Sequence, residues 1–330
     1  MKIGIFSASA PMASKYPHRA KRAIEFLKDN GHEIVLGNLF YQNQNYRTGT
    51  IQQRAQEFNE LLKNDDLDVL MSSIGGVNTN SILPYLDYES LSHRSTPLVV
   101  CGFSDTTALL LAIQNKVKNP LVRLFYGPAL IPSFGDIEPE FKTITYESFL
   151  TCLHSSKDYF YVVPKSWTDD SINWEEYQHE KQIEKQTTWG WDFFADSVLI
   201  AGRLVGGNAN TLLGTFGSEY GLKIQEGDIL LLEDSWKDAS TVEKNFSACL
   251  LNGVFDKVKG IILGKYEQFD DQETGFRPVD LLNEILLTAN KKIPIVYDVD
   301  FSHTNPMLIG ELNQPIILDG KTKTIAKVIK

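Results

Sequence analysis

The chain has 330 residues, with 42% hydrophobic and 22% charged, a globular balance and enough length for one large or two ordinary domains. Its formal net charge of −10 argues against binding a nucleic-acid polymer or an anionic membrane, so a nucleotide-like ligand has to be held by local groups. Cys101, Cys152 and Cys249 form no Cys-x-x-Cys pair, no apolar run reaches bilayer length, and the first residues read as a strand rather than a secretory signal; the expected compartment is the cytoplasm.

Residues 2–6 read as a first strand, followed by the small-residue loop Ser7-Ala8-Ser9-Ala10-Pro11. Residues 18–30 have helical periodicity and stop at Gly31. A strand follows at 32–36, a helix at 51–63 and a strand at 67–71, which runs into Gly75-Gly76. A strand at 97–101 leads into Gly102-Phe103-Ser104-Asp105-Thr106-Thr107 and then an apolar helix over 107–114. Strands alternating with helices predict a parallel sheet covered on both faces.

From about Tyr146 to Asp196 the pattern breaks down, and Trp167, Trp174, Trp189 and Trp191 lie among polar residues. This stretch reads as an irregular connector whose tryptophans pack on the surfaces they bridge. Strands resume near 198–204, 228–232, 259–263 and 294–297, with helices over 242–252 and 278–289. Two last strands, 315–318 and 324–328, are joined at Asp319-Gly320, a hairpin signal. The expected architecture is α/β: a Rossmann-like nucleophile-bearing domain over 1–160, a connector over 161–196 and a smaller α/β domain over 197–330.

Three strand ends carry chemistry. Ser104 follows the 97–101 strand on a strand-to-helix turn, the geometry of a nucleophile elbow, although Thr106 stands where a second Gly is usual. Taken alone, an N-cap is the plainer reading of such a serine. Glu233 closes the 228–232 strand, and His303 follows the 294–297 strand. Open α/β sheets build sites at the carboxyl ends of strands. A serine needs a base to attack at neutral pH, and the base needs a carboxylate to fix its tautomer. No histidine pair has zinc-helix spacing; Asp298, Asp300 and His303 suggest a metal only if that Ser-Glu-His set is ignored, so no metal or cofactor is expected.

Gly75-Gly76-Val77-Asn78-Thr79-Asn80 with Leu83-Pro84-Tyr85-Leu86-Asp87, the Ser104 motif, Gly206-Gly207-Asn208, Leu232-Glu233-Asp234 and His303-Thr304-x-Pro306 occur in the order of a known family. The chain resembles the LD-carboxypeptidase and microcin C self-immunity group of serine peptidases over nearly its whole length. In that family a Gly often precedes the His, where this chain has Ser302. The resemblance implies a triad of Ser104 as nucleophile, His303 as base and acid, and Glu233 as orienter, set in a cleft between the domains. It pairs the N–H groups of Gly76 and Asp105 as the oxyanion hole. It places Asn208 toward the substrate, Lys237 near a phosphate-like linker and Trp174 on a nucleobase; Asn208 also reads as a helix cap. Lys237 and Trp174 resemble the microcin-immunity branch, so the expected substrate is a peptidyl or aminoacyl nucleotide. The rivals are a muropeptide LD-carboxypeptidase of peptidoglycan recycling and a non-catalytic small-molecule binding protein. Homologous proteins are often dimers, which makes a homodimer an expectation by resemblance only.

Overall fold

The computed structural model describes residues 1–170 and 184–329. Two sheets organise them. The first has six strands in the order Gly310–Leu312, Val122–Tyr126, Leu98–Gly102, Val69–Ser72, Lys2–Phe6 and Glu33–Leu36. All its pairings are parallel except that of Gly310–Leu312, which runs antiparallel to Val122–Tyr126. The central strands are apolar runs of Val, Ile and Leu, buried throughout at Val69–Ser72 and Leu98–Gly102, as strands covered on both faces must be. Helices Pro17–Asp29, Ile51–Leu62 and Thr106–Lys116 supply the crossovers.

The second sheet has eight strands, and its centre is again parallel: Leu199–Asn208, Asp228–Glu233, Val258–Gly264 and Ile295–Val299. The first half of Leu199–Asn208 pairs antiparallel with Pro315–Asp319, which forms a hairpin with Thr324–Lys327 as Asp319-Gly320 predicts. Helices Ala239–Leu251 and Pro278–Thr288 pack against each other beside this sheet. Most predicted elements therefore recur within a residue or two. Four departures stand out. The sequence reading passed over the strand Val122–Tyr126, the turn Thr79–Tyr85 and the strand Gly310–Leu312. It also ended regular structure near Tyr146, whereas the helix Pro139–His154 continues through it, burying Phe141, Tyr146, Phe149 and Cys152 at spacings of three to five. That helix was illegible because Thr143, Ile144 and Thr145 are β-branched and blur the helical signal.

The two sheets share one large apolar core, which runs from Ile3 and Val100 to Leu231, Val299 and Ile316. Glu311 ties them together: its carboxylate accepts from Arg123 of its own sheet and from buried Lys327 of the second. The connector docks through its aromatics. Trp189 donates its indole N–H to buried Asp300 at 2.8 Å, Lys265 lies over the Trp167 ring at 5.3 Å, and Thr168 exchanges two backbone bonds with Asn305. The connector thus grips the loop from Asp300 to Asn305 on both sides of His303. No helix among the described residues is long and apolar enough to cross a membrane.

Candidate active site

The carboxyl ends of the central strands of both sheets converge. Leu98–Gly102 delivers Ser104, which has φ of +60°, a left-handed conformation costly for a residue with a side chain. The turn is tight because Gly75 backs onto it: a Cβ there would fall 2.7 Å from Ser104 Cβ and 2.9 Å from its Oγ. Only glycine fits that approach. Ser104 is partly exposed, while Phe103 and Asp105 beside it are buried.

Asp228–Glu233 delivers Glu233, fully buried, in register with Asn208 of the neighbouring strand. Three donors fix its carboxylate. His303 Nδ1 lies 2.5 Å from Oε2; Tyr126 donates its phenol to Oε1 at 2.5 Å, and Asn208 Nδ2 donates to the same oxygen at 3.3 Å. A carboxylate at Nδ1 calls for the Nδ1–H tautomer and leaves Nε2 free as the base. Among the described residues Nε2 has no partner although it is buried. The imidazole stands edge-on to Phe103, with ring centroids 4.9 Å apart, beside Ser104. No hydrogen bond joins Ser104 to His303; such contacts are commonly long in an empty site and tighten around substrate. Burial pushes the imidazole down, but Glu233 with its hydrogen bond, then Glu267 and Asp234, outweigh that and lift it to about 8.

Several amides near Ser104 are already paired. Val77 and Asn78 both donate to Ser9 Oγ, and Thr79 donates to Asp105 Oδ2. The N–H groups of Gly76 and Asp105 have no partner among the described residues. Unpaired amides this close to a serine need an acceptor, and the developing oxygen of an acyl-transfer reaction is one.

The residues read toward the substrate have mixed placements. Asn208 caps the helix Ala209–Leu213, accepting from Thr211 N, and donates to Glu233 and Asp234; it is 4% exposed. Both faces of its amide are thus committed to the protein. Lys237 is partly buried, donates to Ser235 O at 2.9 Å and lies 3.4 Å from Asp234. Trp174 lies outside the described residues. Two site residues were missed in the sequence. Tyr126 ends the strand Val122–Tyr126, which the sequence does not mark, and Glu267 lies three residues past the strand ending at Gly264, where the strand-end rule that found Ser104 and Glu233 would have found it. Burial lifts the Glu267 carboxyl to about 7, His303 opposing it and Glu233 and Asp169 adding to it. No group of three His, Cys, Asp or Glu among the described residues is arranged to hold a metal ion.

Comparison with known proteins extends to the whole chain. Residues 3–124 match the model of the LD-carboxypeptidase N-terminal domain, and residues 201–318 match that of the LD-carboxypeptidase C-terminal domain. The chain is 45% identical over 328 residues to the microcin C7 self-immunity protein MccF of Escherichia coli, covering 98% of this chain and 92% of that protein. It is 21% identical over 323 residues to the murein tetrapeptide carboxypeptidase of Pseudomonas aeruginosa, covering 97% and 93%. Solved structures of MccF superpose with a TM-score of 0.94 at 44% identity, covering 100% of this chain and 96% of theirs; they include complexes with aspartyl sulfamoyl adenosine and glutamyl sulfamoyl guanosine. An active-site mutant of MccF with a serine, an asparagine and a lysine changed superposes equally well.

Proposed function

The chain belongs to the LD-carboxypeptidase family, a family of serine hydrolases, and from that membership we propose that it cleaves the bond joining an aminoacyl or peptidyl group to a nucleotide. The observation that carries the mechanism is the Glu233–His303 pair beside Ser104, with Nε2 buried and unpartnered. Ser104 Oγ attacks the acyl carbonyl carbon while its proton passes to His303 Nε2. Glu233 holds the Nδ1–H and stabilises the imidazolium. The carbonyl oxygen, now anionic, accepts from the N–H groups of Gly76 and Asp105; one such donor typically contributes about 3–4 kcal/mol to the transition state. His303 then protonates the leaving group, and water, deprotonated by the same imidazole, releases the acyl-enzyme.

The substrate class rests on the relatives. MccF has been solved with aminoacyl sulfamoyl nucleosides, and its active-site mutant changes the residue types of Ser104, Asn208 and Lys237. In this chain Lys237 supplies the cation for a phosphate-like linker, and Trp174 the aromatic face for a base. Asn208 then contributes through the carboxylates it orients, since its amide is already committed. The likeness to a murein tetrapeptide carboxypeptidase supports a second reading, cleavage of a muropeptide. Parallel assay of aspartyl sulfamoyl adenosine and a muropeptide tetrapeptide, with Ser104→Ala as control, decides between them. Turnover of neither by a folded protein would point to the binding-protein alternative. The same reading sets the protein in the cytoplasm, in keeping with three buried free thiols, and as a homodimer, which light scattering tests.

A further inference from the structure

Asp105 occupies the N-cap position of the helix Thr106–Lys116, yet its side chain makes no capping bond. An aspartate there ordinarily accepts from its own helix. Instead Oδ2 accepts twice from one residue across the site, Thr79 N at 2.8 Å and Thr79 Oγ1 at 2.8 Å. Both residues are buried, at 4% and 1% exposure. Asp105 carries one of the two unpartnered amides assigned above to the developing oxygen, and Thr79 ends the short loop that carries the other, at Gly76.

The rest of that loop is held as firmly. Ser9 Oγ accepts from Val77 N and Asn78 N and donates to Asn78 Oδ1, which also accepts from Arg54 Nη1 at 2.9 Å. Ala10 N donates to Gly75 O at 3.2 Å. These bonds fix the loop to the Ser7–Ala10 segment and to Arg54 of the helix Ile51–Leu62. The Thr79–Asp105 pair alone, among these bonds, joins the loop to the serine turn.

We propose that Thr79 and Asp105 form a clip that sets the spacing between the Gly76 and Asp105 N–H groups, making both side chains positioning residues for the hydrolysis. The proposal rests on the assignment of Ser104 and those two amides to the reaction. The clip tightens no ground-state contact with substrate. Its effect falls on the tetrahedral oxygen, whose two donors must converge at hydrogen-bond distance.

Thr79→Val removes the hydroxyl donor with little change in shape, and Thr79→Ser restores it. With aspartyl sulfamoyl adenosine as substrate, Thr79→Val is expected to lower kcat roughly tenfold with KM within about twofold of the parent. Affinity for a small alkylboronic acid, which forms a tetrahedral adduct on a serine, falls by the same factor. Thr79→Ser recovers kcat to within about threefold of the parent. Asp105→Asn, which keeps the acceptor oxygen but loses its charge, gives the same split independently of how Thr79→Val folds. Parent-like kcat in Thr79→Val and Asp105→Asn overturns the clip. So does a kcat loss with unchanged boronate affinity. Ser104→Ala runs alongside: if it hydrolyses substrate the site assignment itself fails, whereas an inert Ser104→Ala with parent-like Thr79→Val removes the clip alone.

Discussion

Ser104, Glu233 and His303 act in the proposed reaction as one proton-transfer unit, and the losses from removing them should not add. Ser104→Ala, Glu233→Ala and His303→Ala are each expected to lower kcat by about 10³-fold or more, and the Ser104→Ala/His303→Ala double variant by no more than the worse single. Steady-state kinetics with circular dichroism of each variant checks this; a double loss equal to the product of the singles would refute the unit. The imidazole also sets the pH profile. His303 has to be neutral to accept the serine proton, and its carboxylate neighbours raise it to about 8, so kcat/KM should climb with pH and level off above about 8. Glu267 is one of the groups raising it. Glu267→Gln should therefore move the midpoint to lower pH while activity is retained, and an unmoved midpoint would remove Glu267 from the electrostatics of the base. The sign for stability is the opposite: the Glu233–His303 attraction stabilises the fold fully below the ordinary histidine value near 6.5 and is lost as pH rises through 8.

Among the elements, the strand Val122–Tyr126 shows how a site residue escapes notice. Its side chains alternate little, because it is covered on both faces near its end, and Leu124, Phe125 and Tyr126 read as plain core. Only the cross-sheet contact with Glu233 separates the tyrosine from its apolar neighbours. Ser104, Glu233 and His303 stand out as candidates in the sequence because strand ends in an open α/β sheet are where sites form, and because five motifs stand in order along the chain. Distances across the sheets, such as Tyr126 to Glu233 or Thr79 to Asp105, have no local signal in the sequence. Tyr126→Phe should leave the fold in place, since the ring stays buried, but free one carboxylate oxygen of Glu233. A bond to a charged acceptor contributes about 1.5–3 kcal/mol, which sets the expected kcat loss at roughly 10- to 100-fold; parent-like kcat would make the bond a bystander. Arg54 is the counterpart for stability. Its guanidinium is 2% exposed and donates to the backbone oxygens of Ala8, Gly49 and Asn78 as well as to Ser81 Oγ. Arg54→Met strands these buried acceptors, and a loss of about 3 kcal/mol or more is expected in urea unfolding.

For the whole molecule, a formal net charge of −10 means that the proposed nucleotide-like ligand would be held by single residues rather than by a basic surface. Lys237→Ala should weaken cleavage of aspartyl sulfamoyl adenosine, and Trp174→Ala should raise its KM by the roughly 1–3 kcal/mol of a lost base–aromatic stack. Neither change should alter cleavage of a small amide without base or linker. Kinetics on matched substrates test this, and if the muropeptide is preferred while both variants treat the nucleotide as the parent does, the carboxypeptidase reading replaces the nucleotide one. The division of the site between two sheets has one more consequence, in time rather than space. Ser104 is synthesised roughly 200 residues ahead of His303, an interval of about 10–40 s at ordinary translation rates. With Ser104 and His303 in the roles proposed for them, the growing polypeptide carries a nucleophile without its base throughout that interval, so neither the ribosome nor its neighbours meet an active hydrolase until the later half of the molecule has folded onto the first.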